Sequence, residues 1–159
     1  MQTELLSHEP LRTYAVVFEP GEEPVRGLTT FARDEAVDAA HLTAIGAFER
    51  AVVGWFDLDR RDYRRIEINE QAEALSLIGD ITQPGEGDSD PTVHIHAVLG
   101  RSDGSAVGGH LLEASVRPTL EVVITETPAE LRRRHDPATG LALINLAPRT
   151  APTTSGGRS

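Results

Sequence analysis

Three of the six histidines, His94, His96 and His110, fall in one segment, PTVHIHAVLGRSDGSAVGGHLLEA, spanning residues 91–114. Side chains alternate faces along a strand, so His94 and His96 project together while Val93, Ile95 and Ala97 project the other way. The turn signal between the two halves is Ser102-Asp103-Gly104. A three-residue hairpin loop of the common kind needs a left-handed residue at its third position, where Gly104 stands. That loop puts Arg101 opposite Ser105 and, counting outward, His96 opposite His110 with His94 diagonal on the same face. Opposed Cβ atoms lie roughly 4.5–5.5 Å apart and diagonal ones about 7–8 Å, near enough for three imidazoles to converge on one ion. A two-residue Asp-Gly loop would instead pair Ala97 with His110 and turn His110 away.

Three neutral imidazoles leave one position open in a tetrahedral site, the arrangement zinc uses where water or a ligand must bind. Nickel, copper or iron accept a similar set. Gly108 and Gly109 let backbone or ligand come close just before His110. An HxH pattern in a strand is also compatible with a merely solvated polar face. The chain has no Cys, which removes disulfides, thiolate nucleophiles and thiolate ligands.

The elements that must position this hairpin come next. Residues 11–18 (LRTYAVVF) read as a strand ending at Pro20-Gly21. From Gly27, apolar Leu28, Phe31, Ala32, Ala36, Ala39 and Ala40 follow helical spacing, with Thr29 or Thr30 to cap the start. Residues 41–57 read as two strands joined near Glu49 and Arg50, with Gly46 and Gly54 marking bends or close approach. A short strand is expected within residues 60–69, another over 73–81, and a loop over 83–91. Residues 119–126 (TLEVVITE) form a strand, residues 128–140 a turn region with one helical turn, and LALINL a last strand. Seven or eight strands with one helix predict an α+β fold, a largely antiparallel sheet covered by helix on one face. The domain is expected over residues 11–146, after an N-terminal arm (1–10) and before a disordered tail (147–159) poor in apolar residues.

With 159 residues the chain fits one domain. Its formal net charge of -10 repels phosphate backbones and acidic membrane surfaces, so free nucleic acid is a poor partner. The Arg clusters at residues 60–65 and 132–134 read as a solvated face. No stretch reaches the apolar length of a membrane span and no signal peptide is evident, which predicts a cytoplasmic protein. His8, His41 and His135 have no partner at ligand spacing; His41 is expected at the helix C-terminus, where positive charge is favoured. Were the site catalytic, Glu73, Glu113 and Glu121 on neighbouring strands are the candidate general bases, with faces undetermined by sequence.

HIH at residues 94–96, DG at 103–104, GGHL at 108–111, TLEVVI at 119–124 and ExLSLxG at 73–79 together resemble the plants-and-prokaryotes conserved (PPC) domain. The resemblance runs from about residue 11 to 146 and includes IGAF at 45–48 and RRRHDPATGL at 132–141. It implies an α+β homotrimer with a zinc site in some members, here His94, His96 and His110; the open position of such a site suits a small anionic ligand. In plants the domain accompanies AT-hook motifs in nuclear DNA-binding proteins, and stand-alone prokaryotic members are commonly described as candidate DNA-binding proteins. This chain has no Arg-Gly-Arg-Pro hook. The resemblance therefore implies a homotrimeric, metal-holding binding module, with a DNA-associated regulator acting through partners or a metal-dependent enzyme as alternatives.

Overall fold

A computed structural model describes residues 1–7, 11–84, 89–128 and 131–146. Nine strands and one helix follow in the order β1 (Gln2–Ser7), β2 (Thr13–Phe18), α1 (Pro24–Asp34), β3 (Ala39–Asp57), β4 (Asp62–Ile68), β5 (Ala72–Thr82), β6 (Thr92–Gly100), β7 (Ala106–Glu126), β8 (Arg133–His135) and β9 (Ala142–Ile144). Strands β1 to β7 form one antiparallel sheet in the order β1-β2-β7-β6-β5-β3-β4. A further β7–β3 pairing closes β3, β5, β6 and β7 on themselves. The fold is α+β, as expected. No helix among the described residues is long and apolar enough to cross a membrane.

Alternation along the strands sorts the chain into a core and an outer face. Leu42, Ala44, Leu77, Ile95, Ala97, Leu99, Val122 and Ile124 are all buried on the inner side. Helix α1 adds Leu28, Phe31 and Ala32 to the same core. Burying a Leu or Phe side chain contributes about 1.5–3 kcal/mol, so this inner row, rather than hairpin hydrogen bonds, holds the strands in register.

The helix differs from the sequence expectation at both ends. It begins at Pro24 because Glu23, not Thr29 or Thr30, caps it: the Glu23 carboxylate accepts from the amides of Val25 and Arg26 at 3.2 and 2.7 Å. Thr29 instead donates to the carbonyl of Val25. The helix stops at Asp34 because Ala36 takes a left-handed conformation (φ 52°). The Val37 amide then reaches the carbonyl of Ala32 and the Ala36 amide that of Arg33, a Schellman closure with Ala at the usual glycine position. Ala39 and Ala40, expected on the helix, are buried in β3.

Residues 41–57 belong to one continuous 19-residue strand, not two. The expected joint near Glu49 and Arg50 is a shift of the β7 register between Phe48 and Arg50, so the chain bends through irregular pairing without a turn. Likewise β7 runs unbroken for 21 residues from the hairpin through residues 119–126. Within the expected N-terminal arm, Gln2–Ser7 pairs with β2. Within residues 128–140 the Gly140 amide donates to the Asp136 carbonyl at 2.7 Å, a single i→i+4 turn that joins β8 to β9. His8, the centre of the 83–91 loop and the 147–159 tail lie outside the described residues.

Candidate metal centre

The β6–β7 hairpin has the three-residue loop that the site requires. Arg101 donates its amide to Ser105 at 2.8 Å, Gly104 donates to Arg101 at 3.0 Å, and Gly104 has φ 83°. His96 consequently pairs with His110 across the ladder. His94, His96 and His110 are the described residues that meet as a candidate metal set: one ring nitrogen from each lies within 4.8 Å of the others. Ring centroids are 5.0 Å apart for His94–His96, 4.9 Å for His94–His110 and 5.7 Å for His96–His110.

Gly109 sets how close β7 comes to β3. A Cβ at that position would stand 2.6 Å from the carbonyl oxygen of Gly54. The small residues before His110 therefore serve backbone approach, which brings His110 beside Gly54 and Tyr63.

Electrostatics favour neutral imidazoles. Burial, reinforced by His94, His96 and Arg133, pushes His110 down to about 4. Burial and the neighbouring His94 also lower His96, against the pull of Asp80. Neutral rings present lone pairs, the form a cationic metal needs. The Nδ1 of His110 is buried without a hydrogen-bond partner, an arrangement that costs free energy unless an ion or water satisfies it. The residues present thus fit a divalent transition metal.

Two partners unmarked by any sequence signal surround His94. Arg133 on β8 places Nη2 3.1 Å from His94 Nδ1 and donates to Asp80 Oδ1 at 2.7 Å. Asp80, paired with His94 in the β5–β6 register, places Oδ2 3.6 Å from the same Nδ1. An imidazole that donates Nδ1–H to Asp80 leaves Nε2 free for a metal, the usual carboxylate–histidine support. One that accepts from Arg133 carries its proton on Nε2. Burial raises the Asp80 carboxyl, but the His94 and Arg133 contacts outweigh it and hold the group below the ordinary Asp range. The Arg133 side chain is 8% exposed. Of the 132–134 cluster read as a solvated face, this one residue is instead part of the site.

The triad opens into a cavity of about 560 Å³. Phe56 and Tyr63, paired across β3 and β4, and Leu141 and Leu143 of the β8–β9 hairpin are among its lining residues. Tyr63 stacks on His110 at 4.9 Å and meets Phe56 edge-on at 5.0 Å, so a column of rings runs from the wall into the triad.

Glu73, Glu113 and Glu121 do not line this cavity. Glu113 pairs with Arg65 near a different depression, and Glu121 is exposed on the outer sheet face. His41 stands in β3 rather than at a helix end, and His135 in β8. Neither joins the triad.

Comparison with solved structures finds the same architecture in several relatives. A metal-containing protein from Archaeoglobus fulgidus is 34% identical over 91% of this chain and 97% of its own (TM-score 0.76). A plant- and prokaryote-conserved (PPC) protein from Pyrococcus horikoshii is 28% identical over 92% and 96% (TM-score 0.78). A candidate DNA-binding protein from Bacteroides thetaiotaomicron is 27% identical over 84% and 91% (TM-score 0.77). Comparison with curated protein sequences gives no match. The profile of the Plants and Prokaryotes Conserved (PCC) domain matches residues 6–128, and on this match the chain belongs to that family, the one its HIH and GGHL motifs resemble.

Proposed function

We propose that the protein is a homotrimeric binding module in which His94, His96 and His110 hold zinc or another divalent transition metal, with its open position facing the cavity. The observation that carries this reading is the convergence of three imidazoles that line a ligand-sized cavity. The relative from Archaeoglobus fulgidus, described as metal-containing, supports it. When bound, the metal supplies a Lewis-acid site for an anionic group. This chain's residues orient it: Asp80 and Arg133 set the proton of His94, Tyr63 stacks against His110, and the apolar walls thin out competing water.

Self-association finds support on the outer sheet face. Ile45, Leu75, Ile78, Val98 and Val123 are 44–62% exposed there. Thr43 pairs with Ile78 on one side and Val123 on the other, and Val98 of β6 pairs with Ser76 of β5, so the apolar residues form one patch across β3, β5, β6 and β7. A patch of this kind on a sheet marks an interaction surface.

The test is metal content per chain of untagged protein purified without chelator, by elemental mass spectrometry, beside the His110→Ala variant. Near-stoichiometric zinc or another transition metal, lost in the variant while the oligomer persists, is expected. Unchanged metal in the variant would refute the ligand set. A second reading, association with DNA, is favoured by the description of the Bacteroides relative. With a net charge of -10, it would run through a partner protein. Salt-sensitive gel shifts by the purified protein alone would instead indicate direct contact.

A further inference from the structure

We propose that the cavity beside the triad takes a monocarboxylic acid with a planar apolar body, its head group at the histidines and Arg133 and its body between the aromatic and aliphatic walls. The head-group assignment rests on the metal-site reading above; the body assignment rests on the walls alone.

Charge decides the head. Three neutral imidazoles add nothing to the charge of a divalent ion, and the Asp80 carboxylate offsets the Arg133 guanidinium at 2.7 Å. The site therefore keeps the net positive charge of the metal, which one or two negative charges satisfy. Arg133 also has a buried Nε without a hydrogen-bond partner, leaving donor capacity beside the cavity. Phosphate esters and sugars satisfy the charge or the donors, but they carry polar bodies that the remaining walls cannot hydrogen-bond.

Shape and chemistry decide the body. Phe56 and Tyr63, paired across β3 and β4, present ring surfaces on the face that carries the triad. Leu141 and Leu143 of the β8–β9 hairpin add aliphatic surface. Stacking between a planar body and these rings adds to simple burial. A 560 Å³ cavity lies in the range that encloses small organic ligands, far larger than acetate needs.

Trp55 is the single tryptophan and adjoins Phe56 at the cavity, so its fluorescence is followed as one readout beside two others. Protein loaded with cobalt is titrated with phenylacetate, acetate and inorganic phosphate, following Trp55 fluorescence, the cobalt absorption spectrum and calorimetry. Phenylacetate is expected to bind at least tenfold more tightly than acetate or phosphate and to perturb both signals. Leu143→Asp, at a residue 43% exposed, should remove that advantage while leaving the cobalt spectrum of the ligand-free protein unchanged. Equal affinity for phenylacetate and acetate, or tighter binding of phosphate, would overturn the proposal and leave the metal reading intact. If cobalt fails to bind but the metal-free protein still prefers phenylacetate tenfold, the metal reading falls and the cavity assignment stands. If neither binds, both fall.

Discussion

Arg133 donates to Asp80 across the mouth of the site at 2.7 Å, and this contact joins the β8–β9 hairpin to the strand behind His94. The pair is partly desolvated, with 8% and 26% of the two side chains exposed. Removing one member leaves the other charge without its partner, which is costly in such surroundings.

Asp80→Asn should therefore lower metal affinity by about 10–100-fold, the usual effect of losing a carboxylate that orients a ligating histidine. Arg133→Met should act mainly on the fold, costing on the order of 2–3 kcal/mol of stability, somewhat less than a fully buried pair. Competition with a zinc chelator and urea unfolding measure the two quantities separately. Equal metal affinity in wild type and Asp80→Asn would mean that Asp80 orients nothing at the metal.

The metal-free protein should lose stability on mild acidification, and the sign follows from His110. Its folded value is about 4, below the ordinary 6.5, so the folded state disfavours the charged ring. Above the unfolded value both states are neutral and pH has no effect. As pH falls from 6.5 toward 4, the unfolded chain takes up the proton first, withdrawing stability on the order of 3 kcal/mol at most. Urea midpoints measured in chelator at pH 7, 5.5 and 4.5 should fall accordingly, and His110→Gln should flatten the part of that decline due to this ring. An identical slope in the variant would assign the lability elsewhere.

How much of this was legible in sequence depends on how local each determinant is. The hairpin register could be read because Ser102-Asp103-Gly104 and the two flanking patterns lie within a few residues of one another. The end of α1 could not, since Ala36 in a left-handed conformation looks like an ordinary helical alanine, and Ala39 and Ala40 continued the apolar spacing into a strand. The joint expected near Glu49 was also misread: strand formers with one irregularity look the same whether the chain turns or only shifts register. Asp80 and Arg133 escaped notice because 53 residues separate them, and their meeting depends on β8 folding back over β6. A lone Asp in a strand and one Arg among three carry no local mark of a site.

Gly109→Ala tests whether close packing of β7 on β3 places His110. The added methyl would stand 2.6 Å from the Gly54 carbonyl oxygen, a backbone atom that yields only if the strands part. A stability loss of about 1–3 kcal/mol is expected, typical of overpacking, together with weaker metal binding because His110 shifts with its strand. Thermal unfolding and metal titration of the same sample measure both. A variant that is destabilised yet binds metal normally would show that His110 tolerates the displacement.

Substituting the outer face separates assembly from folding. Ile45 and Ile78 are 62% and 59% exposed, so Ile45→Glu with Ile78→Lys removes little core packing from a single chain. Exposed substitutions away from special features usually change stability by about 0.5 kcal/mol or less. In an assembly that buries this face, the same changes place two charges in an apolar interface. Sedimentation velocity should therefore show a trimer for the wild type and a monomer with near-native circular dichroism for the double variant. Ile78 pairs directly with His96 in the β5–β6 register, so the interface would border the metal site. Linkage then requires weaker metal binding in the dissociated protein if the assembled form is the better binder. A monomeric wild type at micromolar concentration would refute the trimer. A trimeric double variant would move the interface to another face.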